Sequence, residues 1–236
     1  MKTTAIIVAA GTGSRFNPDT PKQFVELAGK TVIEHTIERF QASPSIDAIV
    51  LVLASEHIGS FKASVDKSVK IVAGGATRAE SVLNGLNASA DADLVAVHDG
   101  ARPFVSVDEI ERTVARAKKT GAACLVTAVT DTIKTIRGDE IAGTLDRDKL
   151  RRALTPQVFQ FDVLKRAFEL GDLSDAVTDE CYLVEKLGHP IAIVEGSARN
   201  IKITHAEDIA MAKVLVRSKK TEVRGEKSEV RRKSFR

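Results

Sequence analysis

The feature that most limits how this chain folds is a repeated alternation between short apolar runs and amphipathic helical stretches. Thr3–Ala9, Ala48–Leu53, Val69–Val72, Leu94–Val97 and Ala122–Ala128 are short and rich in β-branched residues. They are largely apolar at successive positions rather than at every second one, the mark of strands buried on both faces. Between them, Thr31–Phe40 places Val32, Ile33, Thr36, Ile37 and Phe40 at helical spacing. Ala79–Leu86 reads as a second helix, and Val107–Ala117 as a third with Asp108 and Glu109 in the first turn, where the helix dipole favours acid. Doubly buried strands separated by such helices require an α/β fold, a Rossmann-like, mostly parallel sheet flanked by helices on both faces.

The rhythm changes after Thr130. Thr132–Ile136, the turn Arg137-Gly138-Asp139 and Ile141–Leu145 read as an alternating β-hairpin, either a satellite of the domain or an arm toward a partner. Helices at Val163–Leu170, Cys181–Leu187 and Ala206–Val216, and strands at Ile191–Val194 and Asn200–Ile203, follow. The expected organisation is one domain over 1–216, with the hairpin 131–150 inserted, and a basic tail over 217–236. That tail carries nine Lys/Arg and three Asp/Glu, and its few large apolar residues predict a solvated end. The whole chain has a formal charge of +3, so the body without its tail is mildly acidic, at −3, which argues against a nucleic-acid surface on it. The apolar share of 43% with no Trp predicts an aliphatic core. The longest apolar runs, Ala5–Ala10 and Ala48–Ala54, are too short to span a bilayer, and no secretory signal is read at the N-terminus. Cys124 and Cys181 have no metal-ligand spacing and fit a reducing, cytoplasmic setting.

Chemistry concentrates where strands end. Ala9-Ala10-Gly11-Thr12-Gly13-Ser14-Arg15-Phe16 leaves the first strand, and in an open α/β sheet ligands bind beyond the carboxyl ends of strands. Small residues let backbone amides approach a phosphate closely. The loop is not a Walker sequence, which needs Gly-Lys-Ser/Thr, nor a dinucleotide fingerprint, because Phe16 stands where a third Gly belongs. A plain strand-to-helix turn would explain the glycines but not Arg15 and Lys22, seven residues apart and bracketing the loop. Two such cations suit a triphosphate, whose charge must be offset before an anionic nucleophile approaches. Gly74-Gly75-Ala76-Thr77-Arg78-Ala79-Glu80-Ser81 opens a helix after the third strand and offers backbone groups and a hydroxyl to a base edge. His98-Asp99-Gly100-Ala101-Arg102 follows Leu94–Val97; Asp99 is placed to accept from a ribose hydroxyl or hold Mg²⁺, and Arg102 to bind a phosphate. Each alone would pass as capping or turn chemistry.

Together, AAGTGSRF, PKQF, GGATRAESV, HDGARPFV, LTPQVF, TDE and NIKIT, in order from Ala9 to Thr204, resemble the 2-C-methyl-D-erythritol 4-phosphate cytidylyltransferase family. The resemblance implies a nucleotidyltransferase-type sheet and transfer of CMP from CTP to a sugar-alcohol phosphate with Mg²⁺. It implies that Arg15 and Lys22 stabilise charge at the α-phosphorus, and that Arg147 and Lys202 are catalytic as well. Ala9, Ala10, Gly11, Gly13, Gly75, Ala76, Arg78 and Ser81 would surround the nucleotide, leaving no room for a purine, with Asp99 at ribose and metal. Arg102, Thr132, Thr155 and Thr178, with Arg147 and Lys202, would position the acceptor. The resemblance also implies a homodimer in which the arm bearing Thr132 and Arg147 swaps across. The chain departs at Ala76, where some relatives carry an acidic residue, so recognition there would rest on backbone.

The rivals are a ribitol-5-phosphate cytidylyltransferase, which shares most of these motifs, and a non-catalytic nucleotide sensor. Gly100-Ala101-Arg102 lies closer to the methylerythritol pattern, and a sensor has little use for the Arg15 and Lys22 pair. None of the five histidines is needed for catalysis, because an acceptor phosphate is already a nucleophile; His98, at a strand end, reads as a packed or capping residue.

Overall fold

The computed structural model of the chain describes residues 1–11, 16, 21–61, 67–171 and 177–217. Its elements run β1 (Thr3–Ala9), the short strands β2 (Glu26–Leu27) and β3 (Lys30–Thr31), α1 (Val32–Ala42), β4 (Ala48–Leu53), α2 (Ser55–Ile58) and β5 (Ser68–Ala73). Then come α3 (Arg78–Asn87), β6 (Leu94–Asp99), α4 (Val107–Thr120), β7 (Ala122–Ala128), β8 (Lys134–Arg137), β9 (Glu140–Thr144) and β10 (Arg151–Gln160). α5 (Phe161–Leu170), α6 (Glu180–Lys186), β11 (Ala192–Glu195) and a last helix, α7, over 208–217 complete the order.

Seven strands form one sheet in the order β11-β7-β10-β6-β1-β4-β5. β1 pairs in parallel with β4 and β6, β4 with β5, and β7 with β11, while β10 runs antiparallel between β6 and β7. Successive side chains of a strand face opposite ways, and both faces are covered. Ala5 and Ile7 join Leu51, Ile37 and Phe40 of α1 and Val114 of α4 in one cluster. Ile6 joins Val50, Leu86 of α3, Phe168 of α5 and Val184 of α6 in the other. This double burial is why the strands lack polar alternation, and each large aliphatic side chain so buried contributes about 1.5–3 kcal/mol.

The helices begin where their sequence dictates. Thr31, Thr77 and Ser106 each cap a helix with a reciprocal Glu three residues on, Glu34, Glu80 and Glu109, and losing such a cap costs about 1 kcal/mol. α4 ends at Gly121, whose φ of 83° favours a residue without a Cβ. Glu109, itself 3% exposed, also accepts from the Ser197 amide at 2.6 Å and ties the start of α4 to the chain leading toward Lys202.

Two expectations need correction. Asn200–Ile203 is not a strand: it lies against the turn after β6, with Ile203 N–H on the Ala101 carbonyl at 2.9 Å. There its backbone has no ladder partner, and its buried residue Ile203 packs with Leu27, Phe104 and Ala212 of α7, with Ile201 partly buried against them. β10 adds a strand that the sequence reading did not include, and Pro156 stands inside it. The sheet accepts that proline at an irregularity, where the β10–β7 register shifts between Ala153 and Gln157. The hairpin is present as β8 and β9, shorter at each end than its sequence reading. No helix among the described residues is long and apolar enough to cross a membrane.

Candidate active site

A cavity of about 470 Å³ opens at the carboxyl ends of β1, β5 and β6. Ala9, Ala10, Gly11, Lys22, Gly75, Ala76, Arg78, Ser81, Asp99 and Lys202 line it, all of them expected site residues. One wall is close-packed because glycine allows it: a Cβ on Gly74 would stand 2.9 Å from Ser81 Oγ and nearer still to the Ala10 methyl. The Ser81 hydroxyl already makes two hydrogen bonds within its own turn. It donates to the Thr77 carbonyl at 2.9 Å and accepts from the Gly75 amide at 3.1 Å, fixing the turn into α3.

Lys22 arrives from the short turn Lys22–Phe24. Its neighbour Gln23 is buried, and the Gln23 amide donates to the carbonyls of Ala9 at 2.8 Å and Gly11 at 3.0 Å. That side chain staples the lysine-bearing turn to the end of β1. Gly13 and Arg15 lie outside the described residues.

Asp99 is the centre of the site. Its Oδ1 accepts from Arg78 at 3.2 Å, and its Oδ2 accepts from Lys202 Nζ at 2.9 Å and Arg102 Nε at 3.3 Å. Burial alone would raise this carboxyl, but Arg78, Lys202 and Arg102 outweigh it and hold the group well below the usual carboxylate range. Arg78 spans onward to Glu180, meeting both carboxylate oxygens at 2.6 and 3.2 Å. Burial works against the Arg78 charge, yet Glu180 and Asp99 more than offset that, so its pKa is raised. Burial likewise pushes the Glu180 carboxyl up, with Arg78 pulling the other way.

Behind Asp99 sits a neutral histidine. His98 is fully buried, and burial lowers its pKa to about 4 against weaker opposing hydrogen bonds. Its Nε2 faces the Arg102 carbonyl at 3.1 Å and therefore carries the proton. Nδ1 then accepts from the Thr155 hydroxyl at 3.0 Å, and that hydroxyl oxygen accepts the Asp99 amide at 3.2 Å. Thr155 therefore holds the end of β6, and its hydroxyl is already engaged. Asn200 completes the frame, donating to the Thr155 carbonyl at 2.9 Å while its own carbonyl accepts from Arg102 at 2.8 Å.

The remaining expected residues stand apart. Thr132 and Arg147 are exposed at the base of the arm, and Arg147 donates to the Thr130 carbonyl at 2.9 Å. Neither lines the cavity of its own chain. Thr178 is exposed just before α6, whose first turn is capped by Asp179. Gln23, Glu180 and Asn200 escaped the sequence reading, although each lies inside a motif quoted there. Only burial separates such framing residues from solvated ones, and burial is not written in a motif.

A basic, carboxylate-centred cavity walled by small residues, at the carboxyl ends of a mainly parallel sheet and without a Walker loop, defines a protein of the nucleotidyltransferase type. The comparisons specify which. The IspD family profile, 2-C-methyl-D-erythritol 4-phosphate cytidylyltransferase, matches residues 3–218, and the chain belongs to that family. It is 43% identical to 2-C-methyl-D-erythritol 4-phosphate cytidylyltransferase of Clostridium novyi over 93% of this chain and 99% of that one. Among solved structures it is similar to 4-diphosphocytidyl-2C-methyl-D-erythritol synthase from Anaerococcus prevotii, with a TM-score of 0.79 and 30% identity over 92% of this chain and 96% of that one. The Francisella tularensis 2-C-methyl-D-erythritol 4-phosphate cytidylyltransferase gives a TM-score of 0.78 and 34% identity over 90% of this chain and 98% of that one.

Proposed function

We propose that this cavity transfers CMP from CTP to 2-C-methyl-D-erythritol 4-phosphate. An oxygen of the acceptor phosphate attacks the α-phosphorus, a new P–O bond forms, the bond to the β-phosphate oxygen breaks, and pyrophosphate leaves with the electron pair. The nucleophile is already anionic, so the protein's task is positioning and charge stabilisation rather than proton abstraction. The observation that carries this reading is Asp99 paired with Lys202 at 2.9 Å in the same cavity that Lys22 and the small residues of β1 and α3 enclose.

In this reading Ala9, Ala10, Gly11, Gly75 and Ala76 enclose the nucleotide, and Ser81 keeps the turn in shape. Lys22, with Arg15, stabilises the charge that develops at the α-phosphorus. Lys202 and Arg102, helped by Thr155 and Thr178, orient the acceptor phosphate. Asp99 is the one carboxylate among the described residues lining the cavity, and no group of three or more metal-ligating side chains occurs among the described residues. Mg²⁺ carried in on the triphosphate would be held from the protein side by Asp99, in place of one of the cations its oxygens now meet. The ion, when bound, neutralises phosphate charge.

The arm implies a homodimer. Ile136 and Ile141 are 74% and 69% exposed on a two-stranded hairpin too small to be stable alone. A second copy that covers them would place Thr132 and Arg147 at its neighbour's cavity. The reduced, buried cysteines fit a cytoplasmic setting. The test is pyrophosphate release from CTP with 2-C-methyl-D-erythritol 4-phosphate and, separately, with ribitol 5-phosphate. Turnover with the first and little with the second is expected; the reverse preference overturns the assignment of acceptor.

A further inference from the structure

We propose that Glu180 is a positioning residue for this transfer, acting through Arg78 on Asp99 and so on the cations that meet the acceptor. The inference rests on the functional reading above. Glu180 is 0% exposed, and a carboxylate that far from water needs a partner of opposite charge. Its partner is Arg78, gripped on both terminal nitrogens at 2.6 and 3.2 Å. A guanidinium is planar, so fixing two of its nitrogens fixes the third. That third nitrogen, Nε, donates to Asp99 Oδ1 at 3.2 Å.

The consequence runs outward to the cavity. With Oδ1 held by Arg78, Oδ2 of Asp99 faces Lys202 and Arg102. Lys202 is the most exposed member, with its side chain 35% exposed against 12% for Arg102 and 10% for Asp99. A carboxylate free to rotate would leave the lysine without a fixed anchor. The five groups carry three positive and two negative charges, so removing the Glu180 charge would leave two uncompensated cations beside a site that must bind and then release anions. Glu180 itself does not line the cavity. The turn that borders the nucleotide is held separately, by the Thr77–Glu80 capping box and Ser81. Arg78 and Asp99 also line the cavity, so loss of Glu180 is expected to fall on acceptor use and turnover more than on CTP.

Glu180→Gln keeps the shape and removes the charge. The expected result is a loss of roughly 10- to 100-fold in kcat/KM for the acceptor, the usual cost of loosening a supporting carboxylate, with Kd for CTP changed less than about threefold. Because the effect passes through Arg78, adding Glu180→Gln to Arg78→Met is expected to cost less than about a further threefold. A partial recovery in Glu180→Asp, which restores the charge with a shorter reach, is expected too, and this variant carries the comparison if the glutamine form does not fold. A lower melting temperature with unchanged kcat and KM would show a structural tie only and overturn the proposal, as would losses that multiply in the double variant. A wild-type chain that releases no pyrophosphate from CTP with the acceptor overturns the functional reading and this inference together; an active wild type with normal Glu180→Gln kinetics overturns this inference alone.

Discussion

His98 and Asp99 are neighbours on β6, both buried, and burial has opposite outcomes for them. Asp99 keeps its charge because three cations surround it; His98 loses its charge because burial outweighs the hydrogen bonds that favour the protonated ring. A histidine held at about 4 in the folded chain takes up its proton more readily when unfolded. The unfolded state then binds more protons between about pH 6.5 and 4, so stability falls as the pH drops through that window. His98→Gln is expected to flatten the fall in melting temperature between pH 7 and 5; a slope equal to that of the wild type would show that other groups govern it. Lys22 sits at the same scale. Lys22→Ala should lower kcat by at least ~100-fold while CTP affinity stays within about tenfold, because its contact strengthens as charge develops. Equal losses in binding and turnover would make it a ground-state clamp instead.

The arm is the element least supported by its own chain. β8 and β9 pair with each other alone, and large apolar side chains remain exposed on them. Arg147, at the base of that arm, does not line its own chain's cavity. If it completes the neighbour's site, Arg147→Ala should impair acceptor use and spare CTP affinity. Mixing inactive Lys22→Ala chains with inactive Arg147→Ala chains should restore activity, since one site of the mixed dimer then keeps both residues. Mixed dimers that form and stay inactive would place the action of Arg147 within its own subunit. β10, running antiparallel beside β6, brings Thr155 alongside Asp99.

At the scale of the molecule, the sheet makes the cavity a property of several distant segments at once, so a ligand bound there should stabilise the whole fold. CTP at 100 times its dissociation constant is expected to add about 2.7 kcal/mol to unfolding. The same concentration of GTP should stabilise much less, on the expectation that the small residues Ala9, Ala10 and Gly75 fit a pyrimidine and exclude a purine. Equal stabilisation by GTP would remove the steric account of base choice.

The sequence by itself determined the alternation of β1, β4, β6 and β7 with α1, α3 and α4, because double burial and helix capping are local demands written in residue type and spacing. It also marked the segments that follow Ala9, Val72 and Val97 as the place for a ligand. The tertiary structure alone decided that Asn200–Ile203 lies against the turn after β6 instead of joining the sheet, and that β10 accepts Pro156 at a register shift. It alone tied Glu180 to Arg78 across 102 positions of sequence, and with them set the charge state of the site. Pairing partners, burial and the field at a carboxylate depend on what the rest of the chain brings near, and no local pattern contains that.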